Sequence, residues 1–186
     1  ASFAERHGMT EEMLAVAQQL DDRDLAVLAA EWQVVDCLEL GESADLDAAL
    51  CTHAALADEL RQPEHLWWSA VWRAMRALME GPSAEAEALV AQAYGIGEGV
   101  ERDNAYLVSH IQLSQILIDR GQLEGPLQAL EAVVAERREI LEGDPYLFCR
   151  RAEAFVELGR EDEARREFER LAADDFASVG FDMRHA

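Results

Sequence analysis

A glycine recurs along this chain at nearly constant spacing, and this repeat is the feature that most limits the fold. Gly41, Gly81, Gly121 and Gly159 are separated by 40, 40 and 38 residues. Each glycine follows one apolar pattern of helical period and precedes another. Glycine ends helices readily because it accepts the left-handed backbone conformation. The spacing therefore predicts a tandem array of helix–turn–helix units.

Side-chain size also repeats at fixed offsets from these glycines. Seven residues before, five residues after and nine residues after each glycine, the four units carry similar residues. In that order they are Val34, Ala74, Ser114 and Ala152; Leu46, Ala86, Pro126 and Ala164; and Leu50, Val90, Leu130 and Phe168. Because small side chains let two helices approach closely, we expect each unit to be a tight helical hairpin.

The apolar periodicity predicts an all-α chain with one helix near 9–20 and four helix pairs. The pairs are 23–40 with 44–61, 63–80 with 83–95, 103–120 with 123–141, and 145–158 with 161–173. Pro63, Pro82 and Pro145 lie at predicted helix starts, where a missing N–H costs little. Ser43 and Ser83 are expected to cap helices. Short turns make neighbouring helices antiparallel.

We expect one helical-repeat domain over the whole chain. Its divisions are a half-repeat at 1–22, repeats at 23–62, 63–102, 103–144 and 145–177, and a partial unit or tail at 178–186. A chain of this length buries enough surface to fold without a disulfide or a metal. Neither end carries the pattern of a capping helix, so we expect a piece of a longer protein or a shortened relative.

The charge balance excludes several classes of function. The formal net charge is −22, and all sixteen cationic residues are arginine. Without lysine the chain has neither a phosphate-loop lysine nor a Schiff-base lysine. Strong negative charge disfavours direct binding to nucleic acid and to anionic membranes. No apolar run is long enough to span a membrane, and the first residues do not resemble a signal peptide.

The cysteines and histidines have no metal-ligating or catalytic spacing. Cys37, Cys51 and Cys149 form no CxxC pair, which favours reduced, buried thiols in a cytoplasmic protein. The histidines show neither HxxxH nor HExxH spacing, so a metal site would have to be assembled from distant units; they are His7, His53, His65, His110 and His185. We therefore expect no metal, no cofactor and no catalytic site. The segment GIGEGVER (95–102) is interpreted as a flexible connection between units.

The stretch ELGREDEARREFERL (157–171) resembles the second half of a tetratricopeptide repeat (TPR). Gly159, Ala164 and Phe168 fall at the small, small and aromatic positions of that motif. Residues 56–93 and 157–177 together resemble the TPR-like region of large actinobacterial regulators. These are LuxR-type and SARP-type transcriptional regulators with a STAND-type ATPase, and adenylate/guanylate cyclase-like proteins. The resemblance implies a right-handed superhelical solenoid of about four repeats.

The same resemblance implies a binding groove, because in that family the first helix of each unit lines the concave surface. Leu28, Glu31 and Glu39 hold such positions in the first repeat. The candidate groove residues of the later repeats, hereafter the predicted groove, are Trp68, Val71, Met75, Met79, Ile111, Gln115, Ile118, Tyr146 and Glu153. An apolar surface without cations suits an amphipathic helix or a hydrophobic small ligand. It equally suits burial by adjacent units of a longer array.

All four tryptophans lie within the first two repeats: Trp32, Trp67, Trp68 and Trp72. Two readings stay open, namely packing between units and a Trp68 that faces the groove. Overall, the sequence predicts a non-catalytic protein-interaction or sensory module of a bacterial regulatory protein. Its partner would be a protein helix or an inducer. The alternative is a structural spacer or self-association module, such as a homodimer, without a ligand.

Overall fold

A computed structural model describes residues 3–41, 43–122, 124–136, 145–173 and 175–177. These residues form nine α-helices and no strand, so the predicted all-α class is confirmed. In chain order the helices are α1 (Phe3–Leu20), α2 (Arg23–Leu40), α3 (Ser43–Leu60), α4 (Pro63–Met79), α5 (Ala84–Gly97), α6 (Arg102–Asp119), α7 (Glu124–Glu136), α8 (Pro145–Glu157) and α9 (Glu161–Ala172).

Most helix ends lie within two residues of their predicted positions. The start of α1 differs, because this helix begins at Phe3 and not near residue 9. The predicted end of α7 at residue 141 lies outside the described residues. The connection predicted at 95–102 is shorter in the structure and comprises residues 98–101, since α5 continues to Gly97 and α6 begins at Arg102.

Local side-chain chemistry explains several helix starts. The Asp22 carboxylate accepts a hydrogen bond from the Leu25 N–H at 3.0 Å, and the Ser83 hydroxyl oxygen accepts one from the Ala86 N–H at 3.0 Å. The predicted cap at Ser83 is therefore confirmed. Helix α3 begins at Ser43, whose side chain lies outside the described part. Pro63 and Pro145 are the first residues of α4 and α8, whereas Pro82 precedes the cap of α5.

The four repeat glycines each follow a helix in a backbone conformation that favours glycine. Their φ angles are 72° at Gly41, 123° at Gly81, 71° at Gly121 and 69° at Gly159. The Gly121 N–H donates to the Ile118 carbonyl oxygen at 2.8 Å, so a terminal carbonyl of α6 gains a partner. The glycine period thus predicted the turns correctly, because a side chain at these φ angles would be strained.

The core is a series of small clusters between successive helices. Ala17, Ala26, Val27, Ala30 and Leu56 join α1, α2 and α3. Further clusters continue along the chain to the one that joins α7, α8 and α9. Each helix packs against the next one in the chain. Helix α4 also contacts α6, although α5 lies between them in sequence.

Most of the fixed-offset positions lie in this core. Val34, Ala74 and Ser114 are buried before the turns, and Leu46, Ala86, Pro126 and Ala164 are buried after them. Phe168 departs from the pattern, because it is 55% exposed and its ring contacts only the ring of Phe176 among the recorded aromatic pairs.

Two further expectations concern the burial of the cysteines and the absence of a membrane-spanning helix. Cys37 is buried as expected, but Cys51 and Cys149 are exposed, which corrects the prediction of three buried thiols. Both lie at solvent-exposed positions of α3 and α8, where a small side chain is tolerated. Among the described residues, no helix is both long and apolar enough to cross a bilayer.

Candidate functional site

Helix α4 contributes four residues to the predicted groove, and three of them reach the surface. Met79 is 56% exposed, while Trp68 and Met75 are half-buried. Val71 is only 4% exposed and packs with Trp67, Ala70, Ala93 and Ala105. Val71 therefore belongs to the core in this structure and does not line an open surface.

Helix α6 contributes Ile111, Gln115 and Ile118, all of them half-buried. The Gln115 Nε2 donates to Asp119 Oδ1 at 2.9 Å, which directs the amide along its own helix. Asp119 is exposed at the end of the helix. This face of α6 is thus apolar in the middle and acidic at its C-terminal end.

Helix α8 holds the last two candidates. Glu153 is exposed and pairs with Arg150 one turn earlier. Tyr146 lies in the first turn of α8, and its side chain is outside the described part. Leu147 of α8 packs with Tyr106 and Leu107 of α6.

The first helices of the second and third predicted repeats are in direct contact. The Gln112 Nε2 of α6 donates to the Val71 carbonyl oxygen of α4 at 3.2 Å, and Gln112 is buried. This carbonyl lies in the interior of α4. The hydrogen bond from the Gln112 side-chain amide therefore adds to the backbone hydrogen bonds of that helix and links it to α6. The contact therefore joins α4 and α6 through buried residues of both helices.

The three tryptophans of α4 differ in how far each side chain is packed against other helices or exposed at the surface. Trp67 is 1% exposed in the α4–α5–α6 core, and Trp72 packs on the cluster that α2 and α3 form. Trp68 lies between them, with ring centroids 4.6 Å from Trp67 and 5.2 Å from Trp72. Packing between units therefore accounts for Trp67 and Trp72, while the half-buried Trp68 retains an exposed part.

A small cleft of about 310 Å³ lies between α5 and α6, on the side of α6 away from the predicted groove. Its lining includes Tyr94, Tyr106 and His110. The His110 Nδ1 is 2.8 Å from the Tyr106 carbonyl oxygen, and the two rings lie 4.1 Å apart. His110 thus packs at the rim of this cleft.

The structure brings together three residues that the sequence reading did not connect. Glu31 of α2, His53 of α3 and His65 of α4 each place a ligand atom within 4.8 Å of the other two. The Ser69 hydroxyl lies 2.9 Å from His53 Nδ1. The three residues are 12, 22 and 34 positions apart on different helices and share no motif spacing. The only sequence signal was the concave-face position of Glu31.

Burial shifts the pKa of two of these groups away from the usual values. Burial, and then the positive charge of a protonated His65, lower the pKa of His53 to about 4. Burial, and then the negative charge of Glu64, raise the pKa of Glu31 above its usual value. His53 is therefore neutral near pH 7 and has a lone pair available.

Comparison with known proteins gives no relative for this chain. No protein-family model, no curated protein and no solved structure matches it.

Proposed function

We propose that this chain is a TPR-like helical-repeat module of a bacterial regulatory protein, of the actinobacterial kind named above. Its helix pairs would stack as a right-handed solenoid of about four repeats. The positive φ angles at Gly41, Gly121 and Gly159, each after the first helix of a repeat, support this arrangement. Stacked repeats bury continuous apolar faces that a single pair cannot bury alone.

The direct α4–α6 contact is the observation that carries the proposed binding role. In a stacked array, first helices of adjacent repeats lie side by side and form one surface. Here α4 and α6 contact each other, and Met75 and Met79 of α4 and Ile111 and Ile118 of α6 keep exposed area. Unbranched methionine side chains adapt to different apolar partners, which suits a recognition surface.

The proposed occupant is an amphipathic helix of a partner protein with basic residues at its ends. Its apolar face would lie along α4 and α6, as in other helix-in-groove complexes. The net charge of −22, with the exposed Asp119 at the C-terminal end of α6, favours a basic partner. The module would be non-catalytic and would pass the occupancy of the groove to an effector domain.

One observation favours self-association as a second candidate. Val156 and Phe168 are 61% and 55% exposed on the last two helices, and Phe176 is 44% exposed beside Phe168. Exposed aromatic side chains that lie together, as Phe168 and Phe176 do, commonly mark contact surfaces. Light scattering over a concentration series separates this candidate from the first, because only self-association raises the mass without a partner.

The test is a selection of helices from a display library of amphipathic peptides against the full chain. We expect enriched peptides to carry one apolar face and basic ends, and to change the tryptophan emission when they bind. Met79→Glu should weaken this binding at least tenfold. Met9→Glu is the matched control, because Met9 is 64% exposed on α1, and it should bind like the wild type. Failure to enrich any peptide, or equal binding by both variants, would overturn the proposal.

A further inference from the structure

A polar cluster lies where three helices from two predicted repeats meet. Glu31, His53 and His65 come from α2, α3 and α4, and their ligand atoms lie within 4.8 Å of one another. The two imidazole rings have centroids 6.5 Å apart and planes at 81°. Two histidines and one carboxylate form a common ligand set for divalent transition metals.

His53 is held in a position that suits a metal ligand. Its side chain is 1% exposed, and Nδ1 lies 2.9 Å from the Ser69 hydroxyl oxygen. When Nδ1–H donates to this hydroxyl, Nε2 carries the lone pair. Nε2 is buried without a hydrogen-bond partner. Metal-binding histidines typically have their second nitrogen fixed in this way.

His65 also has a buried ring nitrogen that lacks a hydrogen-bond partner. Its Nδ1 is buried without a hydrogen-bond partner, although the ring as a whole is half-buried. A buried polar atom without a partner loses the free energy of its bond to water, so such atoms are rare in folded proteins. Two of them within one cluster are explained together if both coordinate the same ion.

The charge around the cluster also favours a cation. Glu31 is half-buried, and Glu64 adds a second negative charge nearby. No arginine pairs with Glu31 among the recorded ion pairs of the described chain, whereas many exposed acidic residues elsewhere have such a partner. A divalent ion would stabilise the ionised carboxylate that burial otherwise disfavours.

We propose that Glu31, His53 and His65 form a binding site for a divalent transition metal ion, with zinc as the ion that best suits this set. The ligand atoms of a tetrahedral zinc site, at bonds of about 2.0–2.1 Å, lie about 3.3 Å apart. Rotation of the half-buried Glu31 and His65 side chains would shorten the distances between ligand atoms from within 4.8 Å to this value. Three protein ligands leave the fourth position to water.

The ion would link the first predicted repeat to the second. Two ligands come from the α2–α3 pair and one from α4, so the ion adds a bond across their junction. An ion that binds the folded chain and not the unfolded chain raises the melting temperature. We therefore expect the junction between the first and second predicted repeats to be more rigid when the metal ion is bound.

The test is a titration of the tag-free, chelator-treated full chain with Co²⁺, followed by visible absorption. We expect one equivalent of Co²⁺ per chain and displacement by Zn²⁺. At about 100-fold excess over its Kd, Zn²⁺ should raise Tm by roughly 5–10 °C. Absence of stoichiometric binding would overturn the proposal.

Variants identify the ligands. His65→Ala changes a half-buried side chain and should remove binding while the helical circular dichroism is kept. Ser69→Ala should weaken binding roughly 10–100-fold, as expected for a group that orients a ligand. His7→Gln, on α1, is the control and should bind normally. Binding that survives in His65→Ala, or that disappears when exposed Cys51 and Cys149 are both changed to serine, would contradict the assignment.

Discussion

Gly97 is the residue at which helix α5 leaves no room for a side chain. A Cβ atom added there would stand 2.5 Å from Trp67 Nε1 and would overlap the Ala105 Cβ. Both neighbours are buried and have little freedom to move. The close approach of α5 to α4 and α6 therefore depends on this glycine.

Gly97→Ala should lower the free energy of unfolding by about 1–3 kcal/mol, because a methyl group in a packed core forces its neighbours apart. Gly95→Ala is the matched control on the same helix, since nothing lies within 4 Å of its added Cβ. Alanine there should be neutral or stabilise the helix by up to about 1 kcal/mol. Urea unfolding measures both; equal effects of the two substitutions would contradict the packing at Gly97.

Asp36 is a buried charge that ties α1 to α2. It is 0% exposed, accepts from the Arg6 guanidinium and accepts from the Thr10 hydroxyl at 3.0 Å. The hydrogen bond to Asp36 is the main cause that raises the pKa of Arg6. Buried acidic groups persist in proteins when they are paired and hydrogen-bonded in this way.

Asp36→Asn keeps the shape of the side chain but removes its charge, and should destabilise the chain by about 2–3 kcal/mol. Asp47→Asn is the comparison, because Asp47 forms an exposed pair with Arg76 at 2.7 Å. Solvent screens that pair, so its loss should leave the urea midpoint within experimental error. A larger loss at Asp47 than at Asp36 would show that burial does not determine the strength of these pairs.

At the scale of helices, the repeat glycines are not equivalent. Gly41, Gly121 and Gly159 have φ near 70°, in the left-handed region that asparagine also tolerates. Gly81 has φ 123° and precedes Pro82, which favours extended backbone in the preceding residue. A conformation at that φ is nearly restricted to glycine.

This difference predicts that Gly121→Asn destabilises less than Gly121→Ala, by roughly 0.5–1 kcal/mol, because asparagine tolerates the left-handed region. At Gly81 both substitutions should cost about 1–3 kcal/mol, with no advantage for asparagine. No Cβ clash contributes at either position. Thermal unfolding of the four variants tests this, and an asparagine advantage at Gly81 would contradict the assigned backbone.

The helices could be predicted from the sequence because their determinants are local. Helical periodicity, a capping serine at Ser83 and terminal glycines act within a few residues of one another. The start of α1 was missed because Gly8 breaks the apolar pattern, although residues 3–8 are helical. The extension of α5 from residue 95 to Gly97 was missed for a different reason: glycines indicate a connection in the sequence, whereas the close approach of Gly97 to Trp67 is a tertiary contact.

At the scale of the whole molecule, the predicted groove and the polar cluster differ in what the sequence could show. The groove positions are what the resemblance to TPR proteins implies for this repeat register, and α4 and α6 do contact each other. Val71 nevertheless turned inward, because its neighbours Trp67 and Ala70 pack in the same core. Glu31, His53 and His65 come together only because three helices pack at one place. The spacing of residues along the sequence does not show where helices pack.

The central claim is that a basic amphipathic helix binds along α4 and α6. Photo-crosslinking tests it most directly, with p-benzoylphenylalanine placed singly at Met79, Ile118, Met9 and Phe168 of the full chain. The probe is a peptide enriched in the library selection, and mass spectrometry identifies the crosslinked pairs. We expect crosslinks from positions 79 and 118 and none from 9 or 168. Crosslinks from 9 or 168 without any from 79 would contradict it.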